Sequence, residues 1–306
     1  MRSPKCSLDA DMGVDEVEPV SELLSALAYL CDTPRPARSV TEALGMAPVE
    51  AYEHTELFLL QLAPYASVYL SCDAMLGGEI AGRIAGMWST LGFAVPSEPD
   101  HLSGLLSLLA KLEEETSDAR LSERYREALQ RTKGVVFWEY LAPWVPMYAR
   151  KMSELAEGTG YQRWGELLVA CLDELALRYC DVGSVPSWEF PEASSDMSVD
   201  AVEELRVLVI PAISGTIVSR RDLLRCGTET GLGARVGERW FMLRTMLEAD
   251  RELVLSWMLR YIEAELGELA GLQERSGSGI FDVSRERLER TYHYLEARAR
   301  SAVTAE

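Results

Sequence analysis

The chain has 306 residues, 48% hydrophobic and 26% charged, which is enough apolar material for one large core or two small ones. Its 49 acidic side chains outweigh 30 basic ones, and the formal charge of −19 repels nucleic acid and anionic membrane while attracting basic ligands. The six cysteines form no CxxC pair, and with three histidines they offer no zinc spacing. Scattered thiols of this kind suit a reducing cytosol. No run approaches the ~20 apolar residues of a membrane span, and the acidic N-terminal stretch (Asp9, Asp11, Asp15, Glu16, Glu18) stands where an export signal needs an apolar core.

Residues 1–20 are acidic and weakly apolar and read as a disordered tail. Ser21 is placed to cap a short helix carrying Leu23, Leu24, Leu27 and Leu30, which the segment DTPRP ends. Ser39–Leu44 supplies one or two further turns. Pro48 opens a helix through Tyr52, Leu57, Phe58 and Leu62, and Pro64 closes it. PYASVYL (64–70) is the best candidate for a short extended piece. Next, Gly78, Gly82 and Gly86 lie four apart and so share one helix face. At about 1 kcal/mol each against Ala, they imply a backbone approached closely by another helix or by a bound chain.

The stretch Trp88–Leu112 organises the chain. Ile80, Ile84, Met87/Trp88 and Leu91 recur at helical spacing before a Pro-rich turn, and Leu102, Leu105/Leu106, Leu109 and Leu112 do so after it. The turn carries Glu98, Pro99, Asp100 and His101, with Asp100 placed to cap the second helix. A rigid loop between packed helices is a common place for binding residues.

Residues 118–132 predict a charged, exposed helix. In FWEYLAPWVPMYARKM (137–152), Pro143 and Pro146 bracket Trp144, so a helix breaks or bends there. Tyr161–Cys180 reads as a clean helix with Trp164, Leu167, Leu168, Cys171, Leu172, Leu175 and Tyr179 inward. Residues 181–197 read as a linker or long loop. Beyond it, Val202–Ile210 suits a helix or a buried strand. Ser219 and Asp222 suit a capping box, and Trp240–Leu247, Glu252–Leu269 and Asp282–Ala302 suit helices, with a break at SGSG (276–279). Strand alternation is almost absent, so the predicted class is all-α.

The usual marks of catalysis are weak. GTETGLG (227–233) lacks the Lys-Ser/Thr of a P-loop, and no GxSxG, HExxH or kinase pattern occurs. Asp100 and His101 could act as an acid–base pair, but neighbours at a helix start point about 100° apart. What remains is an acidic helical protein with aromatic and glycine-lined surfaces, suited to a basic, partly apolar peptide.

Glu98–Pro99–Asp100–His101 before a Leu-rich helix, and His54-x-x-Leu57–Phe58 about forty residues upstream, together resemble the TorD/DmsD/NarJ family of redox-enzyme maturation chaperones. PYASVYL, LGGE, PDHL and LAPWVPMY agree in order and spacing, so the resemblance covers roughly residues 45–180. It implies an all-α, TorD-type helical domain over 21–180, with the region 198–306 as a helical extension or the rest of the same core. It also implies a cytoplasmic, non-catalytic role without cofactor or metal. The implied partner is a molybdopterin-containing oxidoreductase subunit and its twin-arginine signal peptide, held until the molybdenum cofactor is loaded and before export. Carried onto this sequence, the peptide-binding residues are Leu57, Phe58, Glu98, Pro99, Asp100 and His101, with His54 at the aromatic position of the first motif. Position and chemistry add Trp88 and Tyr52. Leu57 and Phe58 equally suit a plain core, and Asp100 equally suits helix capping alone. A homodimer by exchange of helices across 181–197 is compatible with the pattern. Two other classes fit the residues: an enzyme using Asp100 and His101, and an acidic scaffold with no peptide groove. Finally, Ser219–Arg220–Arg221–Asp222–Leu223–Leu224–Arg225 resembles a twin-arginine motif placed internally, with no apolar segment after it.

Overall fold

The computed structural model describes residues 18–180 and 202–303; the proposed linker at 181–197 and the tail up to residue 17 lie outside them. The described residues are helical, and no strand forms among them. The first half comprises α1 (Glu18–Asp32), α2 (Arg38–Ala43), α3 (Ala51–His54), α4 (Ala66–Leu70), α5 (Gly78–Thr90), α6 (Leu102–Thr116), α7 (Glu123–Val135), α8 (Val145–Leu155) and α9 (Gly160–Arg178). The second comprises α10 (Pro211–Ser214), α11 (Arg220–Glu229), α12 (Arg239–Ala249), α13 (Arg251–Ser276) and α14 (Asp282–Val303).

Several local expectations change. α1 begins at Glu18, one turn before Ser21. PYASVYL is not extended: Ala66–Leu70 is a helical turn, all five of its side chains buried. A five-residue segment of Ala, Ser, Val, Tyr and Leu carries no firm period, and packing decides its form. Val202–Ile210 resolves into a tight 3₁₀ helix at Glu203–Val209. Gly78, Gly82 and Gly86 do share a helix, but their face is exposed, and a Cβ at any of them would meet nothing within 4 Å. Ile80, Ile84 and Trp88 on the opposite face bury α5 instead.

α1 packs against α6 and α9, α8 against α9, and α13 against α12 and α14. The core between them is unusually aromatic. Phe58 meets the rings of Tyr161 and Trp164 edge-on at 5.3 and 5.4 Å, and Tyr69 stacks on Trp144 at 4.7 Å. Two of the buried polar ends are satisfied across elements: Trp164 Nε1 donates to the Leu27 carbonyl (3.0 Å) and Tyr148 Oη to that of Leu62 (3.0 Å). Two wide helical turns follow from proline. Thr55–Gln61 runs into Pro64 and Val136–Leu141 into Pro143, each closing with an i→i+5 bond of 2.8 Å (Leu62 N–H to Leu57, Ala142 N–H to Phe137).

The second half joins the first through buried charges. Lys151 on α8 is fully buried, with Nζ 2.8 Å from Asp222 Oδ2 and 2.8 Å from Glu154 Oε2. Asp222 closes the capping box that starts α11, with Ser219 N–H donating to its Oδ2 at 2.8 Å. Arg150 pairs with Glu265 and Glu268 on α13. α10 ends at Gly215 in the left-handed region (φ 74°), where a Cβ would lie 2.6 Å from α14 backbone atoms of Ser284 and Leu288; only glycine fits.

Removing Lys151 leaves buried Asp222 with only the longer contact to Arg225 at 3.4 Å. Lys151→Met is expected to cost about 3 kcal/mol in urea unfolding, and Lys151→Met with Asp222→Asn, which keeps an acceptor for the Ser219 N–H, to recover part of that. Equal stability of Lys151→Met and the parent protein would contradict this account of the junction.

Candidate functional site

The Glu98–His101 turn is fastened to the start of α4. Ala66 N–H donates to the Asp100 carbonyl at 2.9 Å, and Leu102 N–H to that of Pro64 at 2.7 Å. Ser67 N–H donates to Asp100 Oδ2 at 3.2 Å, so a buried carboxylate (4% exposed) fills the centre of this clasp. Asp100 therefore does not cap α6, as the sequence suggested. The cap is His101, whose Nδ1 accepts the Ser103 N–H at 3.2 Å. Chain crossing has turned Asp100 toward α4 and left its neighbour at the helix start. The imidazole also meets the Tyr65 ring edge-on at 4.9 Å.

Glu98 is the exposed member of the motif, and Pro99 is half-buried. Tyr65 Oη donates to Glu98 Oε1 at 2.9 Å. Burial, and then the Glu98 carboxylate, push this hydroxyl up to about 12, so it stays a donor at neutral pH. Glu98 with Tyr65 thus forms an accessible acidic lip above a buried support.

The first motif divides differently. Leu57 and Phe58 are core, as is His54, whose Nε2 lies 3.0 Å from the Cys31 carbonyl and whose ring lies 4.8 Å from that of Phe58. Burial lowers both histidines; Asp32, at the end of α1, opposes this in each. Trp88 is also buried, against Phe93, and shares no hydrogen bond or ring contact with the other candidates among the described residues. Tyr52, by contrast, is 72% exposed.

Tyr52 and the edge of Leu57 line a groove of about 480 Å³ with Leu60, Leu155 and Ala156. Glu53 and Glu56 stand on its rim, and Arg221 of α11 reaches it from the second half of the chain. Its size falls in the range of ligand sites, about 300–1,000 Å³. Sequence reasoning missed Tyr65 and Leu60, and it named Arg221 only within the twin-arginine-like segment Ser219–Arg225. A signal existed for Leu60: Leu57–Phe58–Leu59–Leu60 is four apolar residues in a row, more than the single inward stripe of an amphipathic helix holds. Here Leu57 and Phe58 turn inward, and Leu59 and Leu60 are exposed.

The comparisons bear on this half of the chain. Residues 20–150 match the family model of the nitrate reductase delta subunit. That segment is similar to proteins of the TorD/NarJ family. Among curated proteins, the chaperone protein TorD of Vibrio vulnificus, in strains YJ016 and CMCP6, is 31% identical over 111 residues, covering 35% of this chain and 51% of each relative. The chain thus spans about half the length of the curated relatives it matches. No solved structure matches it. The family match takes in α1, the clasp and the start of α8, and stops before α9 and the whole second half.

Two outcomes follow from the geometry. Asp100→Ala strands the buried Ser67 N–H and is expected to cost about 1–3 kcal/mol in urea unfolding, whereas exposed Glu98→Gln stays within about 0.5 kcal/mol of the parent. The second concerns pH. His101 has a folded pKa below its ordinary 6.5, and protonated Nδ1 cannot accept the Ser103 N–H. The unfolded chain takes up this proton first, so the contribution is complete above 6.5 and is lost as pH falls through that value toward the folded pKa. Asn caps helices without titrating. His101→Asn is therefore expected to reduce the loss of stability as pH falls below 6.5, with His54 supplying the remainder, and an unchanged slope would contradict it.

Proposed function

We propose that this protein is a cytoplasmic maturation chaperone. Its client is the apo form of a molybdopterin-containing oxidoreductase subunit, recognised through the twin-arginine signal peptide and held until cofactor insertion and before export. The family match over residues 20–150 and the name of the Vibrio relatives support the coarse reading. The observation that carries the finer one is the acidic lip: Glu98 is exposed on a turn that Asp100 and His101 fasten from beneath. A carboxylate so held meets a guanidinium without ordering its own loop. Elsewhere on the same half of the chain, exposed Tyr52 and Leu60 offer apolar surface to the rest of such a peptide.

The reading is one of binding rather than catalysis. Asp100 and His101 both serve the fold: the carboxylate holds Ser67 N–H and the imidazole caps α6. Among the described residues no helix is long and apolar enough to cross a membrane.

The test is a titration with a synthetic signal peptide from the molybdoenzyme encoded nearest the gene. Micromolar or tighter binding is expected. Glu98→Gln should weaken it about tenfold without loss of stability, as should Arg→Ala replacement in the peptide. Raising salt should weaken it further. Affinity indifferent to Glu98 and to the peptide arginines would overturn the signal-peptide reading.

A further inference from the structure

The groove beside Tyr52 holds a guanidinium of this chain. Arg221 Nη1 donates to the Leu155 carbonyl at 2.7 Å, and the Arg221 backbone N–H meets Gln61 Oε1 at 3.3 Å. Leu155 ends α8, where unpaired carbonyls and the helix dipole favour a cation. Glu53 and Glu56 add two carboxylates on the rim, and among the described residues neither is in an ion pair. Glu53 instead accepts the Glu50 N–H and Glu56 the Gln61 amide. Tyr52, Leu57, Leu60, Leu155 and Ala156 supply its apolar wall, with Thr55 and Thr159 beside them. The place is therefore built for an apolar segment that carries a basic side chain. Arg221 belongs to the Ser219–Arg225 segment, whose sequence resembles a twin-arginine motif, and it lies outside residues 20–150. Arg221 itself is surface-exposed, unlike buried Asp222 beside it, so its side chain can leave without opening the core.

We propose that Arg221 is an internal placeholder: it occupies the groove's cation position in the unloaded protein, and an arginine of an apolar client segment displaces it. The proposal rests on the client-binding reading and adds its regulation. A client must compete with a tethered side chain, so measured affinity is lowered by the fraction of time that Arg221 is seated. An arginine-free apolar segment cannot claim the position, and weak, indiscriminate capture of hydrophobic chains is suppressed.

The experiment uses the full chain and a synthetic peptide in which Ser-Arg-Arg precedes a Leu-rich run, beside the same peptide with both arginines replaced by alanine. Proteins are the parent, Arg221→Gln and Arg221→Lys, each checked by thermal unfolding. Arg221→Gln is expected to bind the arginine peptide about three- to tenfold more tightly than the parent, with Arg221→Lys close to the parent. That gain should vanish when Tyr52→Ala and Leu60→Asp remove the groove's apolar wall. Unchanged or weaker binding by Arg221→Gln, with the parent still binding the peptide, would overturn the placeholder and leave the chaperone reading intact. Failure of every variant to bind the peptide would overturn both the placeholder and the signal-peptide reading. Capture of the apo-oxidoreductase would then preserve the coarser chaperone role alone.

Discussion

The chain crosses itself once where it matters most, at Pro64–Ser67 and Asp100–Leu102. Two backbone bonds and one buried carboxylate fasten the crossing, and both partners lead directly into buried helices. α4 could not sit against the aromatic core, nor α6 begin where it does, without this clasp. Its consequence for the surface is the position of Glu98. An acid on a free loop loses conformational freedom on meeting a ligand; this one stands on a turn already fixed by folding.

A second constraint is aromatic. Phe58 inserts between His54, Tyr161 and Trp164, while Leu59 and Leu60 are forced outward by the wide turn that Pro64 ends. One short segment thus builds core with one pair of residues and groove with the next. The buried Lys151–Asp222 pair sets α11 against α8, and this places Arg221 at the same groove. The second half of the chain, beyond the family match, so supplies a wall of a surface begun by the first.

Much of the fold was legible because long amphipathic periods are hard to satisfy in any other way. α6, α9, α13 and α14 all lie where their leucine and aromatic spacing placed them, and Ser219 with Asp222 forms the expected capping box. Short segments were not legible. PYASVYL and 202–210 lack a decisive period, and their form depends on what packs over them. The glycine stripe on α5 failed for a related reason: small residues permit close approach but do not cause it, and here the face is open. At the site, residue types picked out the Glu98–His101 motif and Tyr52 but could not sort exposed from buried. His54, Phe58, Asp100 and His101 turned inward because the clasp and the core claim their polar atoms and rings. Tyr65 was invisible, and Arg221 stood out only as part of a twin-arginine-like segment, because each reaches the surface in question across a distance in sequence that only folding closes.

The central claim is that client contact is made at the Glu98 lip and the Tyr52 groove. Photo-crosslinking tests it most directly. A photoreactive residue is placed singly at Glu98, at Tyr52, or at Tyr125, an exposed control on α7. Each protein is irradiated with the apo-oxidoreductase precursor and the adduct mapped. The expected result is capture at positions 98 and 52, mapped to the signal peptide, with none at 125. Equal capture at all three positions, or capture at 125 alone, would contradict it.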